Sequence, residues 1–265
     1  SGPGLSANIT NTDPTDQNSE NRLLDCRATD STDPAALRTA AAVNQLTTLV
    51  FEKLSTHPIN RARLKAGVPA ANGIICRGPG RLPRLHTLNQ HFGLKTAVVA
   101  GEKTVLGLAA MLGYSEISEP GFTSLPNTDL DSKIIHVKEA LRSHDLVYLH
   151  IKGPDICSHD LNPTGKCELL ERIDEALAPL LSEDLVFGIT GDHSTDSNTG
   201  RHTGDPVPSL LCAPRGRVDD THSFSESDCA HGGLGRINSC GFHTSMLDLM
   251  NVLDNYQPED VSLYF

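Results

Sequence analysis

The chain has 265 residues, 38% hydrophobic and 21% charged, with a net charge of −11 from 33 acidic against 22 basic side chains. That length carries a substantial core, as one large domain or a core with a lobe, and the composition is that of an ordinary globular protein. So acidic a chain, with no tract of Lys and Arg among aromatics and no Trp, argues against a nucleic-acid partner. The absence of any apolar run near span length argues against a membrane partner. Seven cysteines, Cys26, Cys76, Cys157, Cys167, Cys212, Cys229 and Cys240, are scattered without CxxC spacing. Reduced thiols fit that pattern, and the cytoplasm is the expected location.

Residues 1–33, rich in Ser, Asn, Thr, Asp, Pro and Gly, read as an extended or partly ordered segment rather than a core element. Asp33-Pro34-Ala35 is a helix start, a capping carboxylate followed by proline at the first helical position. The run to Leu54 places Leu37, Ala41, Leu46, Leu49, Val50 and Leu54 at helical spacing, and His57-Pro58 marks its end. From Asn72 the pattern changes to strands alternating with helices, which predicts a mostly parallel sheet covered by helices on both faces.

Gly73 to Cys76 is a predicted strand and Arg77-Gly78-Pro79-Gly80 a turn. Lys95 to Ala100 is the next strand, with a helix opening at Gly101-Glu102-Lys103 and running to Leu112. An amphipathic helix over Leu130 to Arg142 leads into the strand Asp145 to Ile151. Cys167 to Leu181 is helical; Leu185 to Thr190 and Val207 to Cys212 are strands; Phe242 to Leu253 is a final helix. The composition shift predicts a mostly helical lobe over residues 1–72 and an α/β core over 73–265.

Two predicted strands deliver Asp and His to the same sheet edge, where open α/β sheets bind ligands. The strand ending at Ile151 leads into Asp155 and His159; the strand ending at Thr190 leads into Asp192, His193 and then His202. Carboxylate oxygens with imidazole nitrogens suit divalent ions, and a pair of ions suits phosphoryl transfer. Cys157, a soft thiolate in an oxygen-rich setting, reads as a bystander.

The runs Asn72-Gly73 to Gly80, Asp155 to Asp160, Asp192 to Thr195, His202 to Pro208 and Gly232 to Ile237 resemble the cofactor-independent phosphoglycerate mutases. The archaeal-type branch, within the alkaline phosphatase superfamily, is the nearest match, and the likeness runs from about Leu5 to the C-terminal helix. The resemblance implies an alkaline-phosphatase-like α/β fold, a mostly parallel sheet sandwiched by helices, with part of a mostly helical inserted lobe. It implies two divalent ions (Mn, Zn, Mg or Co) and no organic cofactor. Asp155, His159 and His202 match the ligands of one ion, Asp192 and His193 two ligands of the other.

In the family an N-terminal aspartate and a serine nucleophile complete the second site. Those positions would precede Ser1, so a missing N-terminal segment of the same protein is expected to complete this one. The activity implied is a glycolytic isomerase interconverting 2- and 3-phosphoglycerate through a phosphoserine, the substrate being a small phosphorylated acid. Lys103 is the candidate catalytic cation, in a Glu102-Lys103 pair like that of the larger branch; the archaeal branch has its lysine where this chain has Leu106. Arg77, Arg63, Asn60, Glu102 and Arg236 are candidate substrate-binding residues, and Ser194 and Thr195 are expected in loop hydrogen bonds. The rival readings are a phosphatase or mutase acting on another small phosphorylated or phosphonate acid, and a non-catalytic metal-binding remnant. Free phosphate without isomer would favour the phosphatase.

Overall fold

The computed structural model describes residues 2–14, 22–83, 85–214 and 216–253. Two compact units divide the chain, Ser1–Arg84 and Leu85–Phe265.

The first unit holds α1 (Pro34–Ser55) and α2 (Pro58–Lys65). Asp33 caps α1 by accepting from the Ala35 amide at 2.8 Å, with proline at the first turn as predicted. The buried stripe differs from the expected one: it runs through Ala36 and Ala40, while Leu37, Leu46 and Leu49 are exposed. The small-residue face is covered by the N-terminal segment. Asn44 of α1 clamps the Cys26 backbone, its Oδ1 accepting from the amide at 2.8 Å and its Nδ2 donating to the carbonyl at 2.9 Å. Cys26 and Thr12 are both buried, so parts of the polar N-terminal segment are core after all. Residues 15–21 of that segment lie outside the described residues.

Gly73 to Cys76 forms no strand. The Cys76 carbonyl accepts from the Thr12 amide and hydroxyl and the Cys76 amide donates to that hydroxyl, a local tie that does not propagate into a ladder. His57-Pro58 ends α1 as expected and also begins α2, the His57 ring accepting from the Ile59 amide.

The second unit opens with α3 (Leu88–Phe92), β1 (Thr96–Val99), α4 (Lys103–Met111), β2 (Ser115–Ile117), α5 (Leu130–Ala140) and β3 (Leu146–Leu149). The three strands form a parallel sheet ordered β2-β1-β3, with Val99 level with both Ile117 and Leu149. All four residues of β1 are buried, Thr96 with the apolar Ala97, Val98 and Val99, so the strand is covered on both faces. One cluster joins Val99 to Phe122, Ile134, Val137 and Leu180; another joins Val98 and Ala100 to Leu106 and Ala109 of α4. At about 1.5–3 kcal/mol for each fully buried aliphatic side chain, these clusters are what hold the sheet edge in place.

The chain continues through α6 (Gly153–His159), α7 (Pro163–Leu181), β4 (Phe187–Ile189), β5 (Ser194–Asp196), β6 (Arg201–Thr203), β7 (Leu210–Cys212), α8 (Glu226–Cys229) and α9 (Ser239–Leu249). The parallel sheet is as expected for an α/β fold, but the later strands pair antiparallel, β4 with β7 and β5 with β6. β3 and β4 are therefore not ladder neighbours among the described residues.

Two glycines seat the edge that carries the site. A Cβ on Gly101, just beyond β1, would lie 1.8 Å from the Phe122 carbonyl oxygen. A Cβ on Gly153, the first residue of α6, would lie 2.5 Å from Leu169 Cδ2 and 3.1 Å from Pro126 Cα. Only glycine allows these approaches.

Candidate metal centre

Beyond β3 the chain passes His150 and Lys152 and turns at once into α6. A helix puts residues four apart on one face, so Asp155 and His159 project together. The third group arrives on the β5–β6 hairpin, whose register places Thr195 opposite His202. Asp155 Oδ1 is 3.3 Å from His159 Nε2 and 3.9 Å from His202 Nε2, and the two ring nitrogens are 3.2 Å apart. One donor atom from each of Asp155, His159 and His202 thus lies within 4.8 Å of the others.

The hydrogen bonds around this trio set which nitrogen carries its proton. His159 Nδ1 is 2.7 Å from the Gly200 carbonyl oxygen. A carbonyl only accepts, so Nδ1 is the protonated nitrogen and Nε2 presents its lone pair toward Asp155 and His202. The Thr195 hydroxyl has one proton, which it gives to Asp155 Oδ1 at 2.8 Å. Its oxygen then accepts from His193 Nδ1 at 3.2 Å, leaving His193 Nε2 as that ring's lone pair. Backbone carbonyls and hydroxyls that fix a tautomer in this way are what metal-ligating histidines require.

Asp155 is largely shielded, and burial raises its carboxyl; the Lys152 ammonium and the Thr195 hydroxyl outweigh that, so it titrates below the usual carboxylate range. Lys152 Nζ lies 2.7 Å from Asp155 Oδ2. Its own pKa is raised, first by that hydrogen bond and further by the charges of Asp192 and Glu102. His150 is lowered, by burial foremost and by the nearby ammonium of Lys133.

Asp192 and His193, following β4, form the second pair, with His193 Nε2 3.3 Å from Asp192 Oδ2. The His193 ring lies against that of His202, centroids 3.7 Å apart, so the two groups are continuous. Ser194 donates to the Asp205 carbonyl at 3.2 Å, a loop bond as expected. Cys157 points away into the core with Leu130 and Leu169.

Glu102 caps α4 through Thr104, and its carboxyl is lowered, chiefly by the Ser124 hydroxyl. Lys103, the first residue of α4, is exposed, whereas Leu106 one turn on is buried in the core. Arg236 is exposed beside Gly235, which has a φ of 60°.

In the first unit, the Arg63 side chain donates to the Pro69 carbonyl at 2.9 Å. Arg77 is exposed and pairs with Asp13 at 3.4 Å. Asn60 is buried, its Nδ2 donating to the carbonyls of Leu54 and Ala71 and its Oδ1 accepting from the Ala71 amide. That is a brace for the α2 turn, which leaves the carboxamide no open face for a substrate.

Lys152 and the bridging hydroxyl of Thr195 were not among the candidate site residues. The signal for Lys152 was its position three residues before Asp155, which becomes informative only once a helix is known to begin between them.

The parallel sheet leads from β3 into Asp155 and His159, and the β5–β6 hairpin adds His202, a carboxylate–imidazole set of the kind that holds a metal ion. The chain belongs to the metalloenzyme superfamily, whose family profile matches residues 8–249. It is 35% identical over 259 residues to the 2,3-bisphosphoglycerate-independent phosphoglycerate mutase of Methanococcus maripaludis, covering 96% of this chain and 63% of that protein. It is 36% identical over 252 residues to 2,3-bisphosphoglycerate-independent phosphoglycerate mutase 1 of Methanocaldococcus jannaschii, covering 94% and 61%. The chain thus spans 61–63% of the length of these relatives.

Among solved structures, a protein of Pyrococcus horikoshii superposes with a TM-score of 0.75 at 36% identity, over 84% of this chain and 60% of that one. The cofactor-independent phosphoglycerate mutase of Thermoplasma acidophilum gives a TM-score of 0.53 at 27% identity, over 96% and 59%. Among the described residues no helix is long and apolar enough to cross a membrane.

Proposed function

We propose that this chain forms the metal-binding part of a phosphomutase that interconverts 2-phosphoglycerate and 3-phosphoglycerate through a phosphoserine. The nucleophilic serine would come from a segment of the same protein outside these 265 residues. The observation that carries the proposal is the convergence of Asp155, His159 and His202, with the His159 tautomer set by Gly200. One carboxylate oxygen and two imidazole nitrogens are a donor set that Mn, Zn or Co takes readily, and Mg less so. Asp192 and His193 would contribute to a second ion. Bound there, divalent ions would supply positive charge to the oxygens of a migrating phosphoryl group.

The remaining roles belong to the chain's own cations and donors. Lys103 is proposed to neutralise phosphoryl oxygens and Glu102 to orient substrate hydroxyls. Arg77, Arg63 and Arg236 are proposed to hold the phosphate and carboxylate of the acid, guanidinium forks being suited to both. Asn60 is retained only as the brace that shapes the Arg63 turn. The proposed setting is a glycolytic one in the cytoplasm.

One observation favours a second reading. Leu106 occupies the core where the resembling archaeal branch carries lysine, and the second reading is a site built for another small phosphorylated or phosphonate acid, as phosphatase or mutase. Assay of the whole protein with 3-phosphoglycerate, with and without chelator, separates the two. Chelator-sensitive formation of 2-phosphoglycerate supports the first, and free phosphate without isomer supports the second.

A further inference from the structure

The carboxylate of Asp155 is used asymmetrically. Oδ1 faces His159 Nε2 at 3.3 Å and receives the Thr195 hydroxyl at 2.8 Å, while Oδ2 is taken by the Lys152 ammonium at 2.7 Å. Lys152 is built to do this. It is the residue immediately before α6, its carbonyl accepts the Asp155 amide at 3.1 Å, and its side chain folds forward one turn along the helix it precedes. The pair is mostly shielded, with 32% of the Lys152 side chain and 17% of the Asp155 side chain accessible. The carboxylates of Glu102 and Asp192 bear on the same ammonium.

We infer that Lys152 is a positioning residue for the metal centre: by holding Oδ2 it turns Oδ1 alone toward the ring nitrogens and makes Asp155 a one-oxygen ligand. This rests on the metal reading above. A carboxylate free to rotate offers either oxygen, or both at once, to an ion, and donors held in place by hydrogen bonds to neighbouring groups bind more tightly than donors that must be ordered on binding.

The sign of the effect distinguishes positioning from simple charge compensation. A cation close to a divalent ion repels it. If Lys152 were only a counter-ion for Asp155, removing it would strengthen metal binding. If it positions Oδ1, removing it weakens binding despite the relieved repulsion.

The test is calorimetric titration of the whole protein with Co²⁺, together with the visible absorption of bound Co²⁺, in wild type, Lys152→Met and Lys152→Arg. Melting in chelator checks that each variant is folded, and Lys152→Gln replaces the methionine variant should that one not fold. Wild type binds Co²⁺; Lys152→Met is expected to lose about 10–100-fold in affinity and to change the absorption band as the carboxylate re-aims. Lys152→Arg, which still donates to Oδ2, recovers most of both. Wild-type affinity and spectrum in Lys152→Met, or tighter binding, overturns the inference and leaves the metal reading standing. Failure of wild type itself to bind Co²⁺ overturns both.

Discussion

Thr195 and Asp155 are joined across two elements, the hydroxyl on the hairpin strand β5 donating to Oδ1 of the carboxylate on α6 at 2.8 Å. The Thr195 hydroxyl oxygen in turn accepts from His193 Nδ1, so one hydroxyl couples the two proposed ligand groups. Thr195→Val keeps the shape and removes both bonds. The expected outcome is a fall of about 10–100-fold in divalent-ion affinity with the fold retained, while Thr195→Ser stays near wild type. Calorimetric titration with Mn²⁺ checks it.

The two groups should separate by stoichiometry. Asp155→Asn and His159→Asn remove donors from the trio, whereas Asp192→Asn touches only the second pair. Elemental analysis after dialysis against metal is expected to show Asp192→Asn retaining an ion that Asp155→Asn loses. Equal retention by the two variants would refute the assignment.

Gly200 is in the left-handed region at φ 66°, and a Cβ there would stand 3.0 Å from the His159 carbonyl oxygen. Gly200→Ala carries a backbone cost of about 1–2 kcal/mol, and relief of the contact shifts the carbonyl that fixes the His159 tautomer. Denaturant unfolding should show the loss in stability, and metal titration a weaker site.

Lys133 is almost fully buried, its ammonium donating to the His150 carbonyl at 2.7 Å beside the Phe122 ring. Burial pushes its pKa down to about 8, against about 10.4 in an unfolded chain. Between these values the unfolded state binds more protons, so stability rises with pH from about 8 to about 10.4 and is at its lower plateau below 8. The cost of that charge near neutrality is on the order of 3 kcal/mol, partly offset by the hydrogen bond, worth about 1 kcal/mol. Lys133→Met, similar in volume, is expected to be more stable than wild type at pH 7 and to lose the rise above pH 8. Urea midpoints across pH 7 to 10 test both halves.

Much of this site could be read from residue types at strand ends. Asp155, His159 and His202 are chemically distinctive, and a buried parallel strand such as β1 announces itself by an unbroken apolar run. Groupings that depend on conformation were less legible. The interval from Asp155 to His159 looks the same in a loop as in a helix; its helicity follows from Gly153 fitting against Leu169 and Pro126, a tertiary fact. The β5–β6 hairpin was hidden because its strands are polar and three residues each, too short for alternation to show. The expected apolar stripe of α1 failed for a related reason, since which face is covered depends on where the distant Cys26 segment docks.

Because Asp155 and His159 are both borne by the short helix α6, their spacing is a gauge set by helical rise rather than by loop conformation. Adding or deleting one residue between them would swing the imidazole by about 100° around the axis and carry it out of reach of its companion. The turn at 197–200 is held by the Gly200 carbonyl on His159, whereas the chain from 160 to 162 faces no such constraint of phase. Length variation among descendants of this sequence should therefore collect in 160–162 and be absent from 155–159 and 197–200.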